Sequence, residues 1–226
     1  MDIKSNFFED VVLECKKNLG EKLISIYLTG SYAKGEETDF SDLEFYVFVS
    51  TNRHTPYKFM QELSSAYLLS KKKKVRFFVV PYSKAIKENK IPTYGLVDSI
   101  ATLDFVLSSK KLYGKKITFP IPSVSEEDYK KFLLLQAQRY KMARLERSGN
   151  RITSKEYLYL LSKILLKHSW AREIYFKKKS LPLSYSLLSS LDPFYAYLSE
   201  IRNDPGKYLD EIPHLEALLE KIFETI

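Results

Sequence analysis

The chain has 226 residues, 45% of them hydrophobic, and a formal net charge of +8. That length suits one domain or two small ones with a proper core, and the apolar content is that of an ordinary globular protein. A lone cysteine, Cys15, excludes an internal disulfide and a cysteine-based zinc site, and the three histidines (His54, His168, His214) are too scattered to give metal-ligand spacing.

The N-terminus carries acids early and lacks an apolar core followed by small residues, so no signal peptide is expected. With a single cysteine, the expected location is a reducing cytoplasm. Residues 5–19 place apolar side chains three and four apart and run into Gly20, which predicts a helix with a glycine C-cap. "KLISIYL" (22–28) predicts a buried strand ended by Thr29-Gly30-Ser31. "LEFYVFV" (43–49) predicts a second strand and "VRFFVVPY" (75–82) a third, with a helix between them over "TPYKFMQELSSAYLLSK" (55–71). A further strand is expected through "LDFVLSS" (103–109), ending at a turn "KKLYGKK" (110–116). No apolar run is long enough to cross a bilayer, so no membrane partner is expected.

Two prolines in "TFPIPSVSEED" then mark a change of composition. Ser125 and Asp128 have capping-box spacing ahead of a helix over 126–147, which stops at Ser148-Gly149-Asn150. Thr153 and Glu156 repeat that device before a helix over 155–179, and the remainder shows only helical patterns broken at Pro193 and Pro205-Gly206. Trp170 and the tyrosines between 157 and 175 fall at helical spacing, which predicts bundle core, and His168 is a helix residue with no special role. The expected fold class is α+β: a mixed-sheet domain with flanking helices over 1–119, followed by an all-α helical bundle over 120–226. Lysine runs at 71–74 and 177–179 supply much of the positive charge and are expected in solvated turns and helix ends. No nucleic-acid-binding motif accompanies them, so a nucleic-acid partner is not favoured.

The stretch that carries chemistry is "LTGSYAKGEETDFSDLEFYVF" (28–48). Asp42 and Glu44 are two apart, so in an extended strand both face the same way. Two adjacent carboxylates repel, and a divalent cation is the natural compensation. A strand that ends in Gly-Ser and turns into a short helix offers backbone N–H groups and a helix dipole to a phosphate. Gly30 permits close approach, Ser31 adds a hydroxyl, and Lys34 a point charge one turn on. Asp42 and Glu44 would then hold Mg²⁺ against that phosphate, since magnesium takes carboxylates together with substrate oxygens. The pattern describes a site for a nucleoside triphosphate and metal.

"GSYAKGEETDFSDLEFYVF" resembles the signature of the DNA polymerase β-like nucleotidyltransferase superfamily: Gly-Ser, a gap of about ten, then Asp-hydrophobic-Asp/Glu. It is most similar to the antibiotic nucleotidyltransferases of the lincosamide and kanamycin (aminoglycoside) types, over roughly residues 26–49. The resemblance implies a small mixed sheet bearing the site and a helical domain after it. It implies triphosphate binding by Gly30 and Ser31, and Mg²⁺ coordination by Asp42 and Glu44. The implied reaction moves a nucleoside monophosphate from an NTP, with ATP the expected co-substrate, to a hydroxyl of a small molecule such as a lincosamide or aminoglycoside. Members of this build often pair, which implies a homodimer.

Two departures stand out. Many members carry a third carboxylate on the next strand, where this chain reads Lys74-Val75-Arg76-Phe77. Kanamycin enzymes take a general base from a glutamate in the first helix of the second domain, where this chain has Gln136 and Gln138, and amides cannot serve as bases. The lincosamide enzymes use a glutamate just after the third strand, which points to Glu88, with Asp98 and Asp104 as weaker rivals. Two alternatives stay open from the sequence. One is transfer to a protein or RNA acceptor, as in nucleotidyltransferases paired with toxins; the other is a nucleotide-binding protein without turnover.

Overall fold

A computed structural model describes residues 3–50, 55–71, 74–91, 98–178 and 180–224. His54 and parts of the two lysine runs (Lys72, Lys73 and Lys179) lie outside the described residues. The fold is α+β, and the chain divides into two compact units, one comprising residues 1–92 and 101–122, the other 93–100 and 123–226.

The first unit is built on four strands, β1 (Leu23–Thr29), β2 (Leu43–Val49), β3 (Val75–Pro81) and β4 (Lys110–Gly114), in the order β3-β2-β1-β4. The sheet is mixed: β1 runs antiparallel to β2 and β4, while β2 and β3 are parallel. The side-chain period of two assigns each face its own core. Phe45, Val47 and Val49 join Ile26, Leu28, Val75 and Val79 on one face, which Val11 and Cys15 of α1 (Ile3–Leu19) and Met60 and Leu63 of α3 (Thr55–Lys71) cover. Tyr46 and Phe48 join Tyr27, Val80, Phe105 and Phe119 on the other. Aromatic pairs lock the parallel register: Phe45 stacks on Phe77 at 5.3 Å between centroids, and Tyr46 lies 5.3 Å from Phe78.

One stretch departs from its expected form. Residues 103–108 lie in a helix, α5 (Asp98–Ser108), and most of the lysine-rich segment expected as a turn is the edge strand β4. A short apolar run such as "LDFVL" satisfies a buried helix as well as a strand, and periodicity cannot separate the two. Here Ile100, Leu103 and Phe105 are buried along the helix. In β4, Lys110 and Lys111 are exposed on the edge, where charged side chains discourage pairing with another chain.

The second unit is helical. Both capping boxes form: Ser125 and Asp128 start α6 (Glu126–Ser148), and Thr153 and Glu156 start α7 (Ser154–Lys177), each side chain bonding the other's backbone N–H. α7 is buried nearly all round, with Tyr157, Leu158, Leu161, Leu165 and Trp170 at 1% exposure or less, so it is the axis of the unit. The Trp170 indole donates to the Leu181 carbonyl at 2.9 Å, which confirms core over substrate cage. α8 (Tyr185–Ser189) starts on a Ser184 side-chain cap and α9 (Pro193–Asn203) on one from Asp192. α10 (Ile212–Phe223) buries Leu215 and Leu219 and is tied down by Glu216, which accepts from Tyr157, and by Glu220, which pairs with Arg144 at 2.7 Å.

Candidate functional site

The charged residues of the first unit gather where β1 ends and β2 begins. β1 passes from Thr29 into the five-residue helix α2 (Gly30–Lys34), with no side-chain cap from Thr29. The first turn of any helix has N–H groups without intrahelical partners, so these are the groups a strand-to-helix junction offers to an anion. So short a helix has little macrodipole, and the local N–H groups matter more. Gly30 adopts φ 71°, in the left-handed region. A Cβ placed there would fall 2.5 Å from Glu44 Oε2, so the carboxylate would have to shift. The Glu44 carboxylate therefore sits directly on the glycine of the turn. This follows from register, since Thr29 and Glu44 are partners in the β1–β2 ladder.

Asp42 is fixed from the other side. Thr38 N–H donates to Ser41 Oγ at 2.9 Å and Ser41 N–H returns to the Thr38 carbonyl at 3.0 Å, closing a turn whose Ser41 is buried. Leu43 N–H then donates to the Lys74 carbonyl at 2.9 Å, so the chain enters β2 with Asp42 and Glu44 partly exposed and Ser41, Leu43 and Phe45 buried. The alternation anticipated for this stretch is the one observed.

Three further side chains join the carboxylates. Arg76 is the register partner of Glu44 in the parallel β2–β3 pairing, so it rises from the same face, and its Nη2 lies 2.9 Å from Asp42 Oδ2. Lys34, with a side chain only 8% exposed, pairs with Asp104 of α5 at 3.0 Å, and Ser108 also donates to that carboxylate at 2.9 Å. Tyr46 lies beneath: its phenol is pushed far above the usual tyrosine range, by burial first and then by the negative charges of Asp104 and Glu44.

The structure thus brings Gly30, Glu44, Asp42 and Arg76 together, with Ser31 next to Gly30 in the first turn of α2. It turns Lys34 toward Asp104. Glu88 is the last residue of α4 (Tyr82–Glu88), a helix that leaves β3 at the end opposite Asp42 and Glu44. It is exposed and, among the described residues, enters no ion pair or hydrogen bond with the group. Asp98 opens α5 in the part of the chain assigned to the second unit. Gln136 is fully buried in α6 and accepts from Arg139 at 3.3 Å, a core residue. The Lys34–Asp104 and Arg76–Asp42 pairs have no signature in the sequence. The first joins residues seventy apart, and the second needs the parallel register.

Among the described residues no group of three or more His, Cys, Asp and Glu side chains is placed to hold a metal. Two carboxylates at adjacent same-face positions suit Mg²⁺ when substrate oxygens complete the shell, which is its usual habit at phosphate sites. The residues fit a metal shared with a phosphate, held by Asp42 and Glu44, and not a dedicated protein cage.

No protein-family model and no curated protein matches the chain. Among solved structures, similarity extends to the spectinomycin adenyltransferase AAD(9) of Enterococcus faecialis with ATP and spectinomycin, at 12% identity and TM-score 0.48, covering 88% of this chain and 90% of that one. It extends also to a toxin–antitoxin complex with AMP-PNP, at 18% identity and TM-score 0.33, covering 60% and 94% of the two chains. A third is a tri-AMPylated Shewanella oneidensis HEPN toxin with its MNT antitoxin, at 14% identity and TM-score 0.32, covering 65% and 98%.

Proposed function

We propose that this protein transfers a nucleoside monophosphate from an NTP, with ATP the expected donor, to a hydroxyl of a small molecule and releases pyrophosphate. What supports it above all is the seat of the Glu44 carboxylate on Gly30, beside Asp42, at a strand-to-helix junction without a side-chain cap. That places acceptors for a cation against donors for an anion, the pairing that a metal-bound triphosphate satisfies.

In this reading Gly30 and Ser31 receive phosphate oxygens through backbone N–H groups and the Ser31 hydroxyl. Asp42 and Glu44 would hold Mg²⁺, which supplies neutralisation of the charge that develops on the phosphates. The acceptor oxygen attacks the α-phosphorus, the bond from that phosphorus to its bridging oxygen breaks, and the electron pair leaves on pyrophosphate. The acceptor's proton passes to solvent water, because Glu88 stands at the far end of β3 and Asp104 is already engaged by Lys34 and Ser108. Lys34 holds Asp104 in place and approaches phosphate only by exchanging that partner. The expected partners are a small-molecule hydroxyl substrate and a second copy of the chain, and among the described residues no helix is long and apolar enough to cross a membrane.

The test is Mg²⁺-dependent pyrophosphate release from each NTP, against lincosamides, aminoglycosides and total RNA, with Asp42→Asn as control. Release with one small-molecule acceptor, lost in the variant, supports the proposal. Release with RNA alone moves the acceptor to a macromolecule, and tight NTP binding without release for any acceptor overturns the catalytic part.

A further inference from the structure

Arg76 occupies the strand position where a further carboxylate would strengthen a metal site, and its geometry points to a consequence. The inference rests on reading the strand end as a site for metal and nucleotide. Arg76 Nη2 is 2.9 Å from Asp42 Oδ2, so one oxygen of that carboxylate is already committed. Arginine stays charged at any relevant pH, and its planar fork suits carboxylate and phosphate oxygens equally. A divalent cation entering between Asp42 and Glu44 therefore meets a fixed positive charge in contact with one of its two ligands. No third acid joins Asp42 and Glu44 as a metal ligand among the described residues, and Asp42, Glu44 and Arg76 together carry a formal charge of only −1. That is a poor trap for a bare divalent ion.

The balance changes when the ion arrives with a triphosphate. The nucleotide brings anionic oxygens that serve both cations, so the metal can take Asp42 Oδ2 while the guanidinium turns to a phosphate. Exposure decides which partner moves. The Arg76 side chain is 44% exposed and Asp42 18%, so the arginine can swing without uncovering a buried group. Asp42 is held by the Thr38–Ser41 turn and by the ladder from Leu43.

We propose that Arg76 is a positioning residue that makes metal binding and nucleotide binding conditional on one another. Without nucleotide it holds Asp42 and keeps free divalent cations out; with metal and triphosphate present it releases Asp42 and pairs with phosphate. Such coupling is reciprocal: the factor by which nucleotide strengthens metal binding equals the factor by which metal strengthens nucleotide binding.

The experiment measures Mn²⁺ binding to the full chain from the electron paramagnetic resonance signal of the free ion. It is run with and without non-hydrolysable analogues of the four NTPs, for wild type, Arg76→Gln and Arg76→Lys. Wild type is expected to bind Mn²⁺ weakly alone and tightly with the analogue it prefers. Arg76→Gln should bind Mn²⁺ alone at least about tenfold more tightly, the scale on which one adjacent charge alters a charged site. It should also bind the analogue about tenfold more weakly, so that the coupling factor shrinks. Arg76→Lys, which keeps the charge without the fork, should still exclude free Mn²⁺ while losing part of the nucleotide affinity. Unchanged Mn²⁺ and analogue affinities in Arg76→Gln overturn the inference and leave the site assignment standing. Failure of wild type to bind any Mn²⁺–analogue pair overturns both.

Discussion

Each unit of this chain keeps charged side chains away from bulk water, but they are held in opposite ways. In the sheet unit Asp42, Glu44, Arg76, Lys34 and Asp104 crowd one strand end, come from four different elements, and share partners that a ligand could replace. In the helical unit two buried charges have partners close at hand. Glu173, 2% exposed, takes Lys177 one turn along at 2.6 Å. Arg202, 1% exposed, lies 4.0 Å from the centroid of the Tyr185 ring and 5.7 Å from that of Tyr159. His168 is buried, and burial first and Arg172 second push its pKa down to about 4, so it sits in the core as a neutral ring. The contrast teaches that a buried charge is no sign of function by itself. A functional group of charges converges from separate elements and stays partly open.

The sharpest way to break that comparison is to neutralise one acid in each unit. Asp42→Asn should cut Mg²⁺-dependent pyrophosphate release at least about 100-fold, because it removes a metal ligand and leaves the fold alone. Its exposed partner makes the loss in stability small, under about 1 kcal/mol in a denaturant titration. Glu173→Gln should do the reverse, leaving activity within about twofold and lowering stability, since it loosens a charge-assisted bond at a buried position. Similar activity losses in both variants would erase the distinction.

A second contrast is pH. His168 is depressed in the folded chain from 6.5 to about 4. Above pH 6.5 both folded and unfolded forms are neutral and nothing is lost. As pH falls from 6.5 toward 4 only the unfolded chain takes up the proton, so stability drops, by about 3 kcal/mol in all, and then levels off. Subtracting the stability profile of His168→Gln from that of wild type should isolate that slope from the carboxylates. A flat difference across the window would mean that the ring is solvated after all.

Gly30→Ala probes the sheet unit from the backbone. The left-handed φ costs an alanine about 1 kcal/mol, and the new Cβ would meet Glu44 Oε2 at 2.5 Å, so the carboxylate must move. A modest drop in melting temperature with a larger loss of nucleotide affinity, measured by calorimetry, is the expected pair of results. Full nucleotide affinity would separate the glycine from the site.

What the sequence made legible was local. The alternation in β2 put Asp42 and Glu44 on one side of a strand, and the capping boxes at Ser125 and Thr153 marked the start of α6 to the residue and that of α7 to within one. What stayed hidden needed distant information. The "LDFVL" run reads equally as strand or helix until its packing is known, so α5 and the Asp104 it carries were misplaced. Arg76 was visible as an oddity, yet its grip on Asp42 depends on β3 lying parallel to β2 with Arg76 opposite Glu44, a register that no stretch of the sequence encodes alone.

The smallest effect tests whether the helical unit's devices are purely structural. Thr153 Oγ1 accepts from Glu156 N–H at 3.2 Å, and the Glu156 carboxylate accepts from Thr153 N–H at 2.7 Å. Thr153→Ala deletes the first bond and keeps the second, since a backbone N–H is its donor. The cost should be about 1 kcal/mol at this exposed N-terminus, read as a shift in the denaturation midpoint with unchanged slope. Nucleotide and Mn²⁺ affinities should not move, because both bonds of the cap are local to the start of α7. If they fell in step with stability, the capping box would be shaping the site through the start of α7, and the charges of the two units could no longer be assigned separate roles.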